Sequence, residues 1–289
     1  MDTFKIIVLA KQVPDTRNVG KDAMKADGTV NRSVLPAIFN PEDLHALEQA
    51  LRIKDQFPGS TITLLTMGPV RASEILREGF YRGADDGILL TDRAFAGSDT
   101  LATSYALSCA IKKIKDYDLI VCGRQAIDGD TAQVGPQVAE KLGIPQITYT
   151  EEITSLDAKK IRVKRRLEHG VEIVECKLPV LITVNNTAPH CRPRNAKRLM
   201  KFKHATTMSK QQESGTDYMA STDTNIAIKE WGVSNIECDP VQLGLNGSPT
   251  KVKKVDNIVF QSKESKRIED LDEDINSLMK ELIESHIVG

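Results

Sequence analysis

The 289-residue sequence has few aromatic residues and almost no net charge. One Trp, five Tyr and seven Phe, 4% of the chain, disfavour a fold that depends on many stacked rings. Lys and Arg number 39 against 40 Asp and Glu, a formal net charge of −1, so the basic excess of a dedicated nucleic-acid binder is missing. Hydrophobic and charged residues make up 40% and 27% of the chain, an ordinary globular composition that disfavours extensive disorder.

Cysteines and long hydrophobic runs are also scarce. The five cysteines are odd in number and irregularly spaced: Cys109, Cys122, Cys176, Cys191 and Cys238. This spacing predicts neither a disulfide framework nor a CxxC zinc site, and it is typical of reduced thiols. The apolar run at 4–10 is too short for a signal peptide, and no run reaches the roughly eighteen residues of a membrane helix. We therefore expect a cytoplasmic protein without a membrane span.

Several common signatures of chemistry are absent. There is no GxGxxG after the first predicted strand, no GxxxxGK[ST] loop, no HExxH and no GxSxG. The histidines lack the spacing of a triad or a ligand set, and we expect surface or helix-end positions for His45, His169, His190, His204 and His286. The Asp128-Gly129-Asp130 run lacks the closing Glu of a calcium loop, so no metal site is predicted.

Strand-like and helix-like segments alternate through the first half of the chain. Strands are predicted at 4–10, 61–67, 87–92 and 116–123. Helices are predicted at 41–55, 72–83, 98–115 and 132–143. Asn40 is expected to cap the first helix, and Ser98 or Asp99 the third. Repeated β-α pairs with short turns require right-handed crossovers, so this half predicts an α/β fold with a Rossmann-like, mostly parallel sheet flanked by helices.

The sequence changes character after residue 145. Four short strands with a hairpin turn at His169-Gly170 are predicted up to residue 184, and we interpret them as an added sheet or an antiparallel extension. Residues 186–225 predict an exposed connection with one short helix near 195–203. The chain ends in an amphipathic helix that docks on its own globular part or on a partner. Its apolar stripe comprises Ile268, Leu271, Ile275, Leu278, Leu282 and Ile283.

The segment 119–145 has the most informative pattern. Three glycines, two aspartates and two glutamines lie between the end of a strand and the start of a helix. Glycines allow a backbone to approach a ligand closely, and free N–H groups at a helix start attract phosphate. Thr131 and Gln133 could donate to phosphate or ribose, and Asp128 could accept from a hydroxyl. The alternative is an ordinary turn capped by Asp130.

The loops that follow the predicted parallel strands support nucleotide binding. They are 11–16, 67–70, 92–99 and 123–136. In an open parallel sheet, ligands bind beyond the carboxyl ends of the strands. All four loops should therefore open on the same edge and form one cleft.

These loops carry a resemblance to the beta subunit of electron transfer flavoproteins. The similarity runs from KIIVLAKQVPDT through FNPEDLHALEQALRIKD and LLTMGP to CGRQAIDGDTAQVGPQVAEKLGIPQ. It continues more weakly through RPRNAKRLMKFK to the C-terminal helix. It therefore covers essentially the whole chain, and the block CGRQAIDGDTAQVGPQ is its most specific part.

The resemblance implies a heterodimer with a larger alpha subunit that carries a redox-active FAD. It also implies an adenine nucleotide in the strand-end cleft of this chain. The implied contacts are Leu9, Asn40, Pro41, Glu42, Asp43, Met67, Cys122, Gly123, Arg124, Gln125, Ala126, Ile127, Asp128, Gly129, Asp130, Thr131, Ala132, Gln133, Val134 and Gly135. In respiratory members of the family this nucleotide is a structural AMP.

Two segments resemble instead the electron-bifurcating members, whose beta subunit binds FAD and receives hydride from NADH. They are DGDTAQVGPQ and DRAFAGSDTLATS. For this type, the implied NADH contacts are Arg93, Phe95, Ala96, Gly97, Asp99 and Thr100. Electrons would divide between ferredoxin or flavodoxin and, through the alpha-subunit FAD, an acyl-CoA dehydrogenase-type partner. A non-bifurcating beta subunit that holds AMP and a non-redox nucleotide-binding scaffold are the alternatives.

Arg124 is a candidate for stabilising a reduced, anionic flavin ring, with a plain surface arginine as the alternative. No catalytic acid or base is predicted, because hydride transfer between cofactors does not require one.

The family's partner-recognition loop corresponds here to Arg194, Asn195, Ala196, Lys197, Arg198, Leu199 and Met200. Where that loop usually has a Leu-Pro pair, this chain has Ala196-Lys197, so the identity of the partner is not carried over. We divide the chain into a nucleotide-binding α/β core with added strands (1–185) and a second stretch (186–289). The second stretch contains the recognition loop, an extended arm and the C-terminal helix, which we interpret as a partner-docking arm.

The neutral total charge conceals one basic region. Between 161 and 210 there are twelve Lys or Arg and three Glu, a local charge of +9, so the rest of the chain sums to −10. This region could steer an acidic partner such as a ferredoxin, or it could be a solvated basic face.

Overall fold

The computed structural model describes residues 2–15, 36–210, 228–250, 265, 267–269 and 271–288. The strands are β1 (Lys5–Leu9), β2 (Gln12–Pro14), β3 (Ala37–Phe39), β4 (Thr61–Met67), β5 (Asp86–Leu90), β6 (Leu119–Gly123), β7 (Gln146–Leu156), β8 (Lys160–Leu167), β9 (Gly170–Lys177), β10 (Val180–Val184) and β11 (Lys229–Trp231). The helices are α1 (Pro41–Gln56), α2 (Ser73–Arg82), α3 (Thr100–Ile114), α4 (Val134–Leu142), α5 (Ala196–Phe202) and α6 (Asp272–Glu284). The predicted elements of residues 211–225 and the last residue of loop 11–16 lie outside the described residues.

Nine strands form one sheet in the order β11-β5-β4-β1-β6-β10-β7-β8-β9, and β2 pairs with β3 in a small antiparallel sheet. The first seven strands are parallel, and β8 and β9 add to β7 in antiparallel orientation. The predicted α/β class, with a mostly parallel sheet flanked by helices, is confirmed.

Successive side chains of a central strand point to opposite faces of the sheet, so each strand contributes to a hydrophobic core on both faces. In β1, Ile6 and Val8 pack with α1, α2 and α5, whereas Ile7 and Leu9 pack with α3 and α4. Because β1, β6 and β10 are buried almost throughout, their sequences are continuous apolar runs rather than alternating ones. The sheet therefore holds the carboxyl ends of its strands on a rigid base.

Two predicted helix caps have different outcomes. Asp99 caps α3 as expected, because its Oδ1 accepts hydrogen bonds from the N–H groups of Leu101 and Ala102 at 2.9 and 3.0 Å. Asn40 occupies the cap position of α1, but its side chain makes no cap bond. It reaches instead to the loop after β6, where it bonds Gln125 and Ile127. A long-range contact has therefore replaced the local one.

The prediction that 145–184 forms a separate or purely antiparallel sheet is wrong for its last strand. β10 lies between β6 and β7 and is parallel to both. All five of its residues are buried, which is the environment of a central parallel strand. Only β7, β8 and β9 form the antiparallel extension. The turn between β8 and β9 consists of Glu168 and His169, one residue earlier than predicted, because Leu167 pairs with Gly170.

The second stretch of the chain contributes to the same sheet. β11 pairs with β5 at its edge, a strand that was not predicted. The short helix predicted near 195–203 is present as α5, and Phe202 packs on Phe80 of α2 with ring centroids 5.2 Å apart. No residue of α6 is buried in the described structure. In the apolar stripe, Leu271, Ile275 and Ile283 are exposed, and the other three side chains are half-buried. Docking of α6 on a partner is therefore a proposal.

The basic region 161–210 is largely compensated by acids from outside it. Glu151 accepts from Lys164 and Arg166, and Glu48 accepts from Arg192. Further pairs join Arg192 to Asp55, Arg194 to Glu78 and Lys210 to Glu74. The local +9 is therefore not an uncompensated charge, because the fold brings distant carboxylates to it.

Three further expectations concern cysteines, histidines and membranes. All five cysteines are free thiols. The surface expectation is wrong for His45, which is buried. Its Nδ1 lies 3.0 Å from the Pro189 carbonyl oxygen, and its ring contacts that of His190 at a tilt of 41°. Within the described ranges, no helix has the length and hydropathy to span a membrane.

Candidate functional site

The carboxyl ends of β1 and β6 meet at the first turn of α1. Asp43 joins them, because its Oδ2 accepts from the Lys11 N–H at 2.8 Å and its Oδ1 accepts from the Gly123 N–H at 3.0 Å. The loops after β1 and β6 therefore open on the same edge, as the sequence predicts.

Asp43 is buried, and this burial governs its protonation. Loss of hydration raises the pKa of Asp43 to about 7, although N–H donors from Lys11, Asn40 and Gly123 favour the ionised form. The neighbouring charge of Glu42 adds to the increase. Burial likewise raises the pKa of the Cys122 thiol far above its ordinary value. Cys122 is thus a neutral, small hydrophobic residue beneath the loop, and the structure gives it no contact that suits a thiolate.

Residues 123–127, here called the inner half of the loop, are fixed on the start of α1. Asn40 donates to the Gln125 carbonyl at 2.8 Å and accepts from the Ile127 N–H at 3.3 Å. Glu42 accepts from the Arg124 guanidinium at 2.8 Å and from the Gln125 N–H at 3.1 Å. The predicted residues Asn40, Glu42 and Asp43 are therefore brought together with the loop, as the side chains that support its inner half.

Residues 128–133, the outer half, are held by side chains near the surface and by the N–H groups of Gly129 and Asp130, which donate to the Ala126 carbonyl at 3.2 and 2.9 Å. Lys11 donates from Nζ to both carboxylate oxygens of Asp128, at 2.7 and 2.9 Å. Gln125 donates to Asp130 at 2.8 Å, which leaves Asp130 outside the cap position of α4. The alternative interpretation, in which Asp130 caps this helix, is wrong, because α4 starts at Val134 with Gln133 at its cap position. Lys11 was not among the predicted site residues, although it lies two residues after β1 in the predicted cleft loop 11–16.

The outer half presents a row of free backbone donors. Asp130 and Ala132 have φ values of 48° and 52°, so the chain alternates into the left-handed region. Among the described residues, no acceptor receives the N–H groups of residues 131–135, and the last two belong to the first turn of α4. Consecutive N–H groups in such a turn, next to a helix start, bind anions. This arrangement fits the phosphate groups of an adenine nucleotide.

The three loop glycines have different surroundings. A Cβ at Gly123 would lie 2.5 Å from Asp43 Oδ1 and 2.7 Å from the Glu42 carbonyl carbon, and one at Gly135 would lie 2.8 Å from Cys122 Sγ. A Cβ at Gly129 would meet no atom within 4 Å. Gly123 and Gly135 are therefore required by protein packing, whereas Gly129 leaves open space over the loop for a ligand to approach.

The other predicted cofactor contacts border this loop. Leu9 and Cys122 are buried at the ends of β1 and β6, and Met67 is half-buried at the end of β4. Pro41, Ala126 and Val134 are half-buried, and Thr131 is exposed. These residues form the base and rim of the edge, with polar atoms concentrated in the loop itself.

The predicted NADH segment reaches the loop at one point. Thr100, the first residue of α3, donates from Oγ1 to Gln133 Oε1 at 3.0 Å. Arg93, Ala96 and Gly97 are exposed, whereas Phe95 is buried in the core between the sheet and α3. Phe95 therefore anchors the predicted NADH segment in the hydrophobic core.

An unpredicted cavity of about 820 Å³ adjoins Arg124. Tyr149, Arg166, His169 and Asn185 contribute to its walls. Tyr149 has a φ of 58°, at a register shift between β10 and β7, where a bulge re-aims a side chain. Arg124 is ion-paired with the buried Glu42, so it is not a plain surface arginine. The short-range sequence gives no signal for this cavity, because its walls come from three distant segments.

The predicted recognition residues lie elsewhere, on α5 and its N-terminal side. Arg198 turns inward and donates to the carbonyls of Phe80 and Ala84, while Asn195 caps α5 through the Arg198 N–H. Four of the others, Arg194, Ala196, Lys197 and Met200, are exposed, and Leu199 is half-buried. Within the described ranges, no group of three or more His, Cys, Asp or Glu could hold a metal ion.

Comparisons with known proteins identify the family of the chain. Residues 27–207 match the family model of the electron transfer flavoprotein domain. The chain is 45% identical to the electron transfer flavoprotein subunit beta of Clostridium acetobutylicum over 87% of each chain. It is 45% identical to the caffeyl-CoA reductase-Etf complex subunit CarD of Acetobacterium woodii over 86% of each chain. It is 41% identical to the acryloyl-CoA reductase electron transfer subunit gamma of Anaerotignum propionicum, over 99% of this chain and 100% of that one. The chain therefore belongs to the beta-subunit family of electron transfer flavoproteins.

Proposed function

We propose that this chain binds FAD at the loop 123–135 and acts as the beta subunit of an electron-bifurcating flavoprotein. In this proposal it pairs with an alpha subunit that carries a second FAD, and it accepts hydride from NADH. One electron of each pair passes to a ferredoxin or flavodoxin, and the other passes through the alpha-subunit FAD to an acyl-CoA dehydrogenase-type partner.

The observation that carries the nucleotide site is the row of free N–H groups at residues 131–135. Five donors that no group of the described residues uses can surround phosphate oxygens without displacing a bond seen there. Gly129 leaves the approach open, and the inner half fixes the loop before any ligand arrives. Because the loop is already ordered, binding does not have to overcome the entropy of organising it.

The cavity beside Arg124 favours FAD over AMP. It offers about 820 Å³ next to the inner half of the loop, which is room for a group beyond an adenosine monophosphate. Arg124, fixed at 2.8 Å by Glu42, would offset negative charge on a reduced ring at that wall. A bound FAD would supply the hydride acceptance and single-electron transfer, while the chain supplies orientation and electrostatics.

The printed names of two relatives support an acyl-CoA-linked partner. One belongs to a caffeyl-CoA reductase-Etf complex and the other is an electron transfer subunit of acryloyl-CoA reductase. We therefore propose that the terminal acceptor is an oxidoreductase acting on a coenzyme A thioester. The recognition contacts are proposed on the exposed residues Arg194, Ala196, Lys197 and Met200.

A cofactor count of the heterodimer tests this proposal. The chain would be co-purified with its alpha subunit, denatured, and assayed for released FAD and AMP by chromatography. We expect two FAD per heterodimer and no AMP, with flavin bleaching when NADH is added without oxygen. One FAD with one AMP would contradict the bifurcating function and support the AMP-holding alternative.

A further inference from the structure

The 244–250 segment packs directly on the loop 93–99. The two residues of their main contact, Asp99 and Ser248, are 149 residues apart in sequence. The Asp99 N–H donates to Ser248 Oγ at 2.9 Å, and Ser248 Oγ in turn donates to the Gly244 carbonyl at 2.6 Å. Gly244 has a φ of +55°, and a Cβ there would lie 2.2 Å from the Ala94 carbonyl oxygen. The two segments are therefore in close backbone contact, which we call the 244–250 clasp.

Asp99 is the centre of this contact. Its Oδ1 accepts from the first turn of α3, and its Oδ2 accepts from the Thr250 N–H at 3.1 Å and the Thr250 hydroxyl at 2.7 Å. Partial burial of Asp99 opposes the charged form, but these donors outweigh it and hold the pKa of Asp99 below its ordinary value. The carboxylate is thus a charged junction between α3 and the clasp.

The same junction reaches the proposed cofactor loop through one residue. Thr100 follows Asp99 and donates to Gln133 Oε1 at 3.0 Å, and Gln137 donates back to Thr100 Oγ1 at 3.5 Å. Gln133 lies within the row of free N–H groups, directly before the first residue of α4. A displacement of Asp99 would therefore move Gln133 and the outer half of the loop.

We propose that Ser248 and Thr250 are positioning residues that hold the loop 93–99 and Gln133 in the geometry that a nicotinamide nucleotide requires. This inference rests on the proposed NADH-dependent function. Neither side chain needs to touch the nucleotide, because both act through Asp99. Both residues are far in sequence from the other site residues, so no local sequence motif indicates them.

The test uses the heterodimer with its alpha subunit and three variants of this chain. Thr250→Val removes the hydroxyl donor at nearly constant volume, and Thr250→Ser keeps it. Thr154→Val is the matched control, since the Thr154 hydroxyl donates to the Arg162 carbonyl at 3.0 Å, on the antiparallel extension. We would measure kcat and KM for NADH in flavin reduction, together with FAD content.

We expect Thr250→Val to raise the KM for NADH about tenfold, with kcat and FAD content changed less than about twofold, because one charge-assisted hydrogen bond is lost. Thr250→Ser and Thr154→Val should resemble the unmodified protein. An unchanged KM in Thr250→Val, or an equal increase in Thr250→Ser, would overturn the positioning role.

Failure of the proposed function is distinguishable from failure of this inference. If the unmodified heterodimer is not reduced by NADH, the function fails, and hydrogen exchange then decides the positioning role. Faster exchange of the Leu101 and Ala102 amides, which donate to Asp99, in Thr250→Val than in Thr250→Ser would support the clasp. Equal exchange rates in the two variants would overturn it.

Discussion

The inner and outer halves of the loop after β6 are neighbours in sequence but differ in what holds them. Residues 123–127 share five hydrogen bonds with the buried side chains of Asn40, Glu42 and Asp43, and the loop is the donor in four of them. Residues 128–133 are held by surface side chains and by the N–H groups of Gly129 and Asp130 on the Ala126 carbonyl, whereas the N–H groups of 131–133 have no protein partner in the described structure. The protein therefore holds the inner half by its own hydrogen bonds and leaves N–H groups of the outer half available to a ligand.

Burial accounts for the difference. A buried backbone N–H without a partner costs free energy, so the inner half must be paired by the protein. In the outer half, Thr131 and Gln133 are exposed and Ala132 is half-buried, so water can satisfy these donors until a ligand replaces it. This contrast is the physical basis for assigning support to the inner half and ligand contact to the outer half.

The largest effect is expected for Gly123→Ala. The new Cβ would overlap Asp43 Oδ1 and the backbone of Glu42, so the start of α1 would have to move. Overpacking of this kind costs about 3 kcal/mol. Urea denaturation would measure the free energy of unfolding. A loss below about 0.5 kcal/mol would show that the inner half is not a rigid support.

The next effect is expected for Asp43→Asn at neutral pH and below. One oxygen becomes an amide N–H₂ that faces a backbone N–H, from Lys11 or Gly123. Leaving one buried donor unpaired costs about 1–3 kcal/mol. Denaturation of both proteins at pH 5 would check this value, and equal stabilities there would contradict the bridging role of Asp43.

The pH dependence of that difference gives an independent check. The pKa of Asp43 is raised from 3.8 to about 7, so the folded protein retains a proton that the unfolded chain has released between these values. The stability contributed by Asp43 is therefore full below about pH 4 and falls as the pH rises to about 7. The advantage of the unmodified protein over Asp43→Asn should shrink across this interval. An advantage that grew with pH would contradict the raised pKa.

A smaller effect is expected for Lys11→Met. The Lys11–Asp128 pair is partly exposed, and such pairs contribute up to about 1 kcal/mol. Lys5→Met is the matched control, because Lys5 pairs with Asp116 at 3.3 Å near the opposite end of β1. Both variants should lose little stability, but only Lys11→Met should change the affinity for FAD, measured by titration. Equal affinities in the two variants would exclude Lys11 and Asp128 from the site.

The smallest effect on stability is expected for Gly129→Ala. Its Cβ meets no protein atom within 4 Å, so the free energy of unfolding should change by less than about 0.5 kcal/mol. The affinity for FAD should nevertheless fall several-fold, because the added methyl group occupies the open approach to the loop. A variant with unchanged affinity would place the ligand away from Gly129.

Much of the fold follows from local sequence. Apolar runs such as KIIVL and LIVCG predict the central strands, and Asp99 with the first turn of α3 is a local cap. The insertion of β10 between β6 and β7 is not local, because strand order depends on which apolar surfaces meet in the folded chain. The sequence therefore indicates that β10 is a buried strand, but it does not indicate the position of β10 in the sheet.

The candidate site shows the same division. The loop 123–135 is visible from its glycines and polar residues, and its position at the sheet edge follows from parallel topology. Its supports are not visible, since Asp43 and Gly123 are 80 residues apart and Asp99 and Ser248 are 149 apart. Asn40 is an example. Its side chain suits a local helix cap, but it bonds the distant Gln125 carbonyl instead.

Hydrogen exchange with and without FAD tests the division of the loop most directly. Peptides covering residues 123–127 and 131–135 would be followed by mass spectrometry in the heterodimer, before and after removal of the nucleotide. We expect the amides of 131–135 to exchange at least about tenfold more slowly with FAD bound, because ligand oxygens replace water, while Gly123 and Gln125 stay protected in both states. Unchanged exchange at 131–135 would contradict the account.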